Sequence, residues 1–359
     1  MKIKFSRASA IEAIKSVSGN AGKGNHAGME VVSHIHCAVA DDVLTLTGSD
    51  VAMELSVPLA VASTGAGAFT VEAKRFASLI GSFDKDAEIE VSLDGMVTTV
   101  KCGKGKYKFV GLDPSSFPFI KFSPAQEFSV ETSALHAAIK HTIQAAAVND
   151  IRYYLNGICL DMEDCNTIRL VSTDGHRLAT TKIEGKHPGI NGRMIIPIDS
   201  VTVIQGMLRK DTTEFKLNGN AFRVTNGDYR LTGKLIDGQF PDWRRVLPDR
   251  MEQVSIDRAA LSDLLKRVAL FTGKYDGIHL STKDGELIVE TGNGEADDAM
   301  PLASGEGNHM VSINRGYLDD AASATDSKFI GLSFGREETD SFMFHDGENK
   351  STVIMPMRL

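Results

Sequence analysis

Three times along the chain a short alternating stretch gives way to apolar residues at helical spacing. MKIKF is followed by Ile11, Ile14 and Lys15, EFSVE by Leu135, Ala138, Ile139 and Lys140, and EQVSI by Leu261, Leu264, Leu265 and Lys266. Apolar positions three and four apart, with a basic residue beside them, predict a helix with one buried face and one wet, positive face. Leu135 lies 124 residues after Ile11, and Leu261 lies 126 after Leu135. Other markers repeat at similar spacing: LTLTGSD ending at Asp50 and IRLVSTD ending at Asp174, then Phe117-Pro118 and Phe240-Pro241. A second strand-to-helix word also recurs, as FTVEAKRFASLI, MIIPIDSVTVI and MVSINRGYLDDA. A period of about 120 residues is too long for a solenoid unit and predicts three homologous domains. Between the helices, runs such as VLTLTG, AEIEVSL and ELIVET alternate and are broken by Asp-Gly and Asn-Gly turns, which predicts antiparallel strands. Each repeat therefore reads as α+β, two helices on one face of antiparallel sheet. Boundaries fall at 1–123, 124–248 and 249–359, with linkers near Phe122–Glu127 and Pro248–Glu252.

Composition narrows the function. The 359 residues are 42% hydrophobic and 24% charged, which fits packed domains and excludes compositional disorder. Lys plus Arg number 39 against 47 Asp plus Glu, and the net charge of −8 argues against a uniformly basic nucleic-acid binder while leaving room for a local basic surface. Lys15, Lys74, Arg75, Lys140, Arg209, Lys210, Lys266, Arg267 and Arg315 lie in or beside the expected helices, and their recurrence in every repeat points to one surface facing a polyanion. MKIKF lacks the features of a secretory signal, and no run approaches about 18 apolar residues, so neither secretion nor membrane spanning is expected. Cys37, Cys102, Cys159 and Cys165 form no CxxC pair, as in a reduced, cytoplasmic protein.

Candidate chemistry is sparse. Ser172, Thr173, Asp174, Gly175, His176 and Arg177 include the residue types of a hydrolase triad. Side chains so close along one strand end cannot converge as nucleophile, base and orienter, and Asp with Gly serves equally as a turn. His34 and His36 share a strand face without a fixed third metal ligand. GNAGKGN, with Lys23, lacks the spacing of a phosphate-binding loop. No catalytic residue, cofactor or metal is expected. A hydrolase using Ser172, Asp174 and His176, and a monomeric protein-binding scaffold, stand as rival readings.

At RYYLNG (Arg152–Gly157), STDGHRLA (Ser172–Ala179), DGQFPDWRRVLP (Asp237–Pro248) and VIMPMRL (Val353–Leu359), the chain resembles the bacterial DNA polymerase III beta subunit, the sliding clamp. The resemblance runs the whole length. It implies a non-catalytic processivity factor: a head-to-tail homodimeric ring of six clamp domains, sheets outside and twelve helices inside, around double-stranded DNA held without sequence preference. It implies DNA contacts at Lys15, Lys23, Lys74, Arg75, Lys140, Asn149, Arg152, Tyr153, Arg209, Lys210 and Lys266. The chain departs from the family at Ala27, Gly28 and Met29, and at Gly81, Ile198 and Asp199 in the second helices, where basic residues are common. Pore contacts are therefore expected to be weaker or to shift to Arg209 and Lys210.

Two further sites follow from the resemblance. Lys104, Lys106, Tyr107 and Phe109 on an edge strand are expected to meet Leu270, Phe271, Glu295, Asp297 and Asp298 of a second copy, aromatics against apolar residues and lysines against carboxylates. A groove accepting short linear peptides from the polymerase III alpha subunit, the clamp loader and repair polymerases is assigned to Arg152, Tyr154, Leu155, Thr173, Gly175, His176, Arg177, Leu178, Pro241, Arg245, Val246, Val353, Ile354, Met355, Pro356, Met357 and Arg358. Adaptable methionines and apolar side chains suit such a promiscuous groove. Deleting Met355–Leu359 is expected to abolish peptide binding and leave the dimer intact.

Overall fold

The computed structural model describes residues 1–22, 29–164, 166–185, 187, 190, 192–248, 252–273, 276–337 and 339–359. Lys23, Ala27, Gly28, Cys165 and residues 249–251 of the second expected linker lie outside them. The first repeat runs β1 (Lys2–Ser6), α1 (Arg7–Asn20), β2 (His34–Ala40), β3 (Val43–Ser49), β4 (Met53–Ala60), β5 (Ala62–Thr64), β6 (Gly67–Glu72), α2 (Ala73–Ser82), β7 (Glu88–Asp94), β8 (Val97–Cys102) and β9 (Gly105–Val110). The second runs β10 (Gln126–Glu131), α3 (Thr132–Thr142), β11 (Gly157–Asp164), β12 (Thr167–Thr173), β13 (Arg177–Glu184), β14 (Gly192–Pro197), α4 (Ile198–Met207), β15 (Thr212–Leu217), β16 (Ala221–Asn226) and β17 (Tyr229–Lys234). The third runs β18 (Glu252–Asp257), α5 (Arg258–Val268), β19 (Gly277–Lys283), β20 (Glu286–Thr291), β21 (Asp297–Pro301), β22 (His309–Asn314), α6 (Arg315–Ser323), β23 (Phe329–Phe334), β24 (Phe342–Asp346) and β25 (Lys350–Ile354).

The same local device starts five of these helices. The last residue of the preceding strand accepts hydrogen bonds from first-turn amides: Ser6 for α1, Glu72 for α2, Glu131 for α3, Asp257 for α5 and Asn314 for α6. Such caps satisfy donors that have no partner within the helix. The apolar faces then pack as their spacing requires. Leu261, Leu264 and Leu265 are fully buried, as are Ala138 and Ile139 on α3, each large side chain contributing about 1.5 to 3 kcal/mol of transfer free energy. On α1 the buried residues are Ala10, Ala13, Ile14 and Val17, while the side chain of Ile11 lies beside Gly81 of α2.

The strands pair antiparallel into four sheets, ordered β5-β1-β7-β8-β9, β10-β15-β16-β17-β4-β3-β2-β6, β14-β11-β12-β13-β25-β24-β23-β18 and β21-β20-β19-β22. The chain forms two compact units, residues 1–128 with 206–234, and 129–205 with 235–359. In the first, β17 pairs with β4, setting Leu231 opposite Leu55. In the second, β13 pairs with β25, setting Leu178 opposite Val353.

A buried histidine marks the β13–β25 seam. His141 of α3 is fully buried; its Nδ1 is 2.8 Å from the Thr181 hydroxyl on β13, and its Nε2 is 3.1 Å from the Thr352 hydroxyl on β25. Burial first, and nearby Lys350 second, lower its pKa to about 4, against a partial opposing effect of Asp346. The unfolded chain therefore takes up this proton between about pH 6.5 and 4 while the folded chain does not, so the stability is present above 6.5 and is lost as pH falls through that window. Wild type is expected to lose about 2 kcal/mol between pH 7 and pH 5 that a His141→Gln variant keeps, read as a urea-midpoint difference. Parallel pH dependence of the two proteins would contradict this.

Candidate functional site

In the second compact unit a cavity of about 190 Å³ opens beside β13 and β25. Its floor follows from strand register. Leu178 and Val353 are cross-strand neighbours on one face, and Leu155 and Trp243 close over them; all four are buried in one cluster with Ala147, Cys159, Val171, Ile195, Phe240 and Met343. The rim combines Tyr154, Thr173, Gly175, Pro241, Asp242, Val246 and Met355 with Arg152 and Arg177. Val246 and Met355 are exposed apolar residues flanking the opening. An apolar floor with a few polar groups at the edge suits a side chain delivered by an extended segment.

Polar contacts hold the walls. The Trp243 indole N–H donates to Asp161 Oδ2 at 2.9 Å, and the same oxygen accepts from Arg193 Nε at 2.9 Å and Arg244 Nη1 at 3.2 Å. The guanidinium of Arg244 also lies over the indole ring. Across the opening, Arg152 donates twice to the Asp150 carboxylate and once to the Asp174 carbonyl, at 2.9 Å. These side-chain hydrogen bonds from Arg152 lower the Asp150 pKa to about 2. Gly175 has φ +92°, a conformation that calls for glycine, and a Cβ there would come within 2.9 Å of the Arg152 guanidinium and displace it. Asp174 Oδ1 accepts from the amides of His176 and Arg177. Asp50 makes the same turn in the first repeat, accepting from Ala52 and Met53.

This arrangement leaves no hydrolase triad at Ser172, Asp174 and His176. The buried Ser172 hydroxyl donates to the Thr142 carbonyl, and Asp174 is engaged by the turn and by Arg177 Nε. His34 and His36 are both buried, and the His36 ring packs on Phe117 and Phe119. Among the described residues no group of three or more His, Cys, Asp or Glu is disposed to hold a metal ion.

The basic residues fall into different surroundings. Lys15 and Lys74 flank a groove between α1 and α2 whose walls are Ser18, Gly19, Ala77, Ser78, Gly81 and Ser82. Arg75 lies over the Phe109 ring. Arg209 pairs with Glu12 at 2.7 Å and lies over Tyr229, while the Lys210 chain packs on Gly227. Lys140 pairs with Asp326 and Lys266 with Asp263. Asn149, at φ +57°, and Tyr153 lie on the exposed loop before β11. β9 and β21 are edge strands of their sheets. On β9, Lys106 and Tyr107 are exposed, and Lys104 is exposed in the turn before it. Leu270 is 81% and Phe271 49% exposed just beyond α5, not within it. Glu295 and Asp297 are also exposed, and Asp298 is paired with Arg267 at 2.6 Å.

Family profiles of the DNA polymerase III beta subunit match the chain in order: the N-terminal domain over residues 1–121, the central domain over 129–242 and the C-terminal domain over 244–358. The chain belongs to the DNA polymerase III beta subunit family. The beta sliding clamp of Pseudomonas aeruginosa is 30% identical over 343 residues, covering 92% of this chain and 93% of that protein. The Escherichia coli beta sliding clamp is 29% identical over 373 residues and covers both chains completely. A crystal structure of the Pseudomonas aeruginosa sliding clamp bound to griselimycin superposes with a TM-score of 0.93 at 28% identity, covering all of both chains.

Within this family member, several residues named from sequence stand apart from the cavity. Ile354 points to the opposite face of β25 and is fully buried in the core built around α5 and α6, which corrects its assignment to the groove. Arg177 lines the cavity, but its guanidinium is held by Asp174 and by Asp320 of α6 and stacks on Tyr317, so it braces the wall instead of presenting a free charge. His176, Arg245, Pro356, Met357 and Arg358 do not line the cavity; His176 contributes its carbonyl to the Met355 amide, and Arg245 turns back to Asp242. Phe109 is buried against Phe76, so Tyr107 is the aromatic that this strand presents, which corrects the pairing of both with a second copy. Sequence reading missed Asp242 as lining and Asp161 as the anchor of Trp243. An Asp set between Leu160 and Met162 in the strand GICLDMED was the available signal for Asp161.

Proposed function

We propose that two copies of the chain close head to tail into a ring around double-stranded DNA and tether DNA-processing proteins to it. The observation that carries this reading is the full-length, three-part family match together with the apolar cavity beside β25. The domains run 1–123, 124–248 and 249–359, and the protein works as a non-catalytic subunit inside the cytoplasm. No helix among the described residues is long and apolar enough to cross a membrane. Lys15 and Lys74 on their groove are the phosphate contacts of the first domain; the pairing of Arg209, Lys140 and Lys266 with carboxylates keeps the grip on DNA modest. Encirclement needs no tight grip, because closure prevents escape while backbone contacts without base readout permit sliding.

The exposed Tyr107 edge meets Leu270 and Phe271 of a second copy, with Lys104 and Lys106 facing Glu295 and Asp297. The cavity takes short motifs from the polymerase III alpha subunit, the clamp loader and repair polymerases. With the loader present, rings are expected to stay on nicked circular DNA at salt concentrations that strip them from the same DNA after linearisation. Equal loss from both templates would overturn the ring reading. Trp243 lies in the cavity wall, so a clamp-binding peptide is expected to change its fluorescence, and deleting Met355–Leu359 is expected to remove that response. A response that survives the deletion would place the peptide elsewhere.

A further inference from the structure

Gly277 and Gly292 face each other at the start of β19 and just beyond β20, where the Gly292 amide donates to the Gly277 carbonyl at 3.1 Å. Neither has positive φ, so backbone conformation does not account for two bare positions here. Leu359 does. A Cβ on Gly277 would come within 2.3 and 2.7 Å of the two Leu359 methyl carbons, and one on Gly292 would meet the Gly277 carbonyl oxygen at 3.1 Å and a Leu359 methyl carbon at 3.2 Å. The missing side chains form the seat on which this leucine rests. The segment after β25 reaches it in steps: the Met355 amide donates to the His176 carbonyl at 2.9 Å beside the cavity, and the Met357 amide donates to the Ser312 carbonyl on β22 at 2.7 Å.

The seat joins two loops with another role. Leu270 and Phe271 follow α5, and the Gly273 amide donates at 2.7 Å to Asp276, the residue before Gly277. Gly292 opens the turn that leads to Glu295, Asp297 and Asp298, and the Asn293 side-chain amide reaches the Phe271 carbonyl at 3.4 Å. Leu359 thus rests on the joint between the loops that carry both halves of the self-association face, apolar and acidic.

We propose that Leu359 is a positioning residue for self-association: seated on Gly277 and Gly292, it holds the two loops in register for a second copy of the chain. One short segment then serves two sites, the peptide cavity through Met355 and the ring-closing face through Leu359. This rests on the reading that those loops meet a second copy, and it revises the expectation that deleting Met355–Leu359 leaves the dimer intact.

The test is sedimentation equilibrium of the full chain carrying Leu359→Ala or Gly277→Ala, alongside Trp243-reported affinity for a synthetic peptide copying the clamp-binding motif of the host's replicative polymerase. The dimer dissociation constant is expected to rise about tenfold in both variants, the scale of losing a half-buried leucine. Peptide affinity should stay within about twofold of wild type at the same precision. Leu359→Met, which keeps a flexible apolar side chain on the seat, should restore dimerisation. Met355→Ala should show the opposite split, weaker peptide binding and an unchanged dimer. An unchanged dimer constant in Leu359→Ala overturns the proposal, as does parallel loss of dimer and peptide affinity, which marks general loosening. If Tyr107→Asp also leaves dimers intact, the ring-closing assignment itself fails; if Tyr107→Asp gives monomers and Leu359→Ala does not, only the role of Leu359 fails.

Discussion

Tyr107→Asp is expected to turn dimers into monomers, read as a halved mass in sedimentation velocity at micromolar protein. Tyr107 lies on β9, the edge of its sheet, is 40% exposed, and rests against Phe83 with ring centroids 5.8 Å apart. That geometry presents a rigid aromatic whose outer half has no cover within the chain. Placed against Leu270 and Phe271 of a second copy, it is the sort of desolvated anchor that dominates interface energetics. A carboxylate there would be buried without a partner unless the interface opened, a cost of several kcal/mol and hence at least a hundredfold in the dissociation constant. The neighbouring lysines do not rescue it: Lys106 and Lys108 point to the other face of the strand. The fold should survive, because much of the removed surface already faces solvent, and an unshifted urea midpoint would separate lost association from lost folding. A dimer of undiminished strength would send the self-association face to another part of the surface.

Asp161→Ala is expected to cost about 3 kcal/mol of stability and to weaken peptide binding at least tenfold, the first from a urea titration and the second from peptide titration. One buried carboxylate oxygen receives the Trp243 indole N–H and two guanidinium groups, so its removal strands a buried donor and takes a shared, buried counter-charge away from both arginines. Arg193 retains weaker contacts with Asp242 at 3.6 Å and the Pro241 carbonyl at 3.4 Å; Trp243 is given none in exchange. The indole forms one wall of the cavity, so loosening it should widen the site before the whole unit unfolds. Asp161→Asn keeps an acceptor for the indole while removing the charge, and should recover the binding more than the stability. An alanine variant with the wild-type midpoint and wild-type affinity would show that the arginine contacts and packing suffice to hold the tryptophan.

Much of this molecule is local physics and was readable as such. Apolar spacing identified the buried faces around Leu135, Ala138 and Ile139 and around Leu261, Leu264 and Leu265. The paired words ending at Asp50 and Asp174 fold into the same side-chain-capped turn, because an Asp that accepts the next two available amides needs only its own neighbours. The cavity was partly legible for a different reason: Leu155, Leu178, Val353 and Met355 were named through family resemblance, and their meeting depends on strands far apart in sequence. Ile354 shows where that approach breaks down. It sits beside Val353 in a recognisable segment, yet alternation along β25 sends it into another core. Arg177 shows the converse, a residue that reads as a free charge until Asp320, 143 positions later, takes it up.

By itself the sequence determined the threefold period, from words that recur about 120 residues apart, and the helix faces and turns, which depend on residues within a few positions of one another. Tertiary structure alone decided that β17 lies beside β4 and β13 beside β25, and therefore which side chains share a cavity, a seat or an edge. The physical reason is that a strand's backbone donors and acceptors are the same whatever strand they meet. Neighbours are chosen by the fit and burial of whole faces, a property that no short stretch of chain carries.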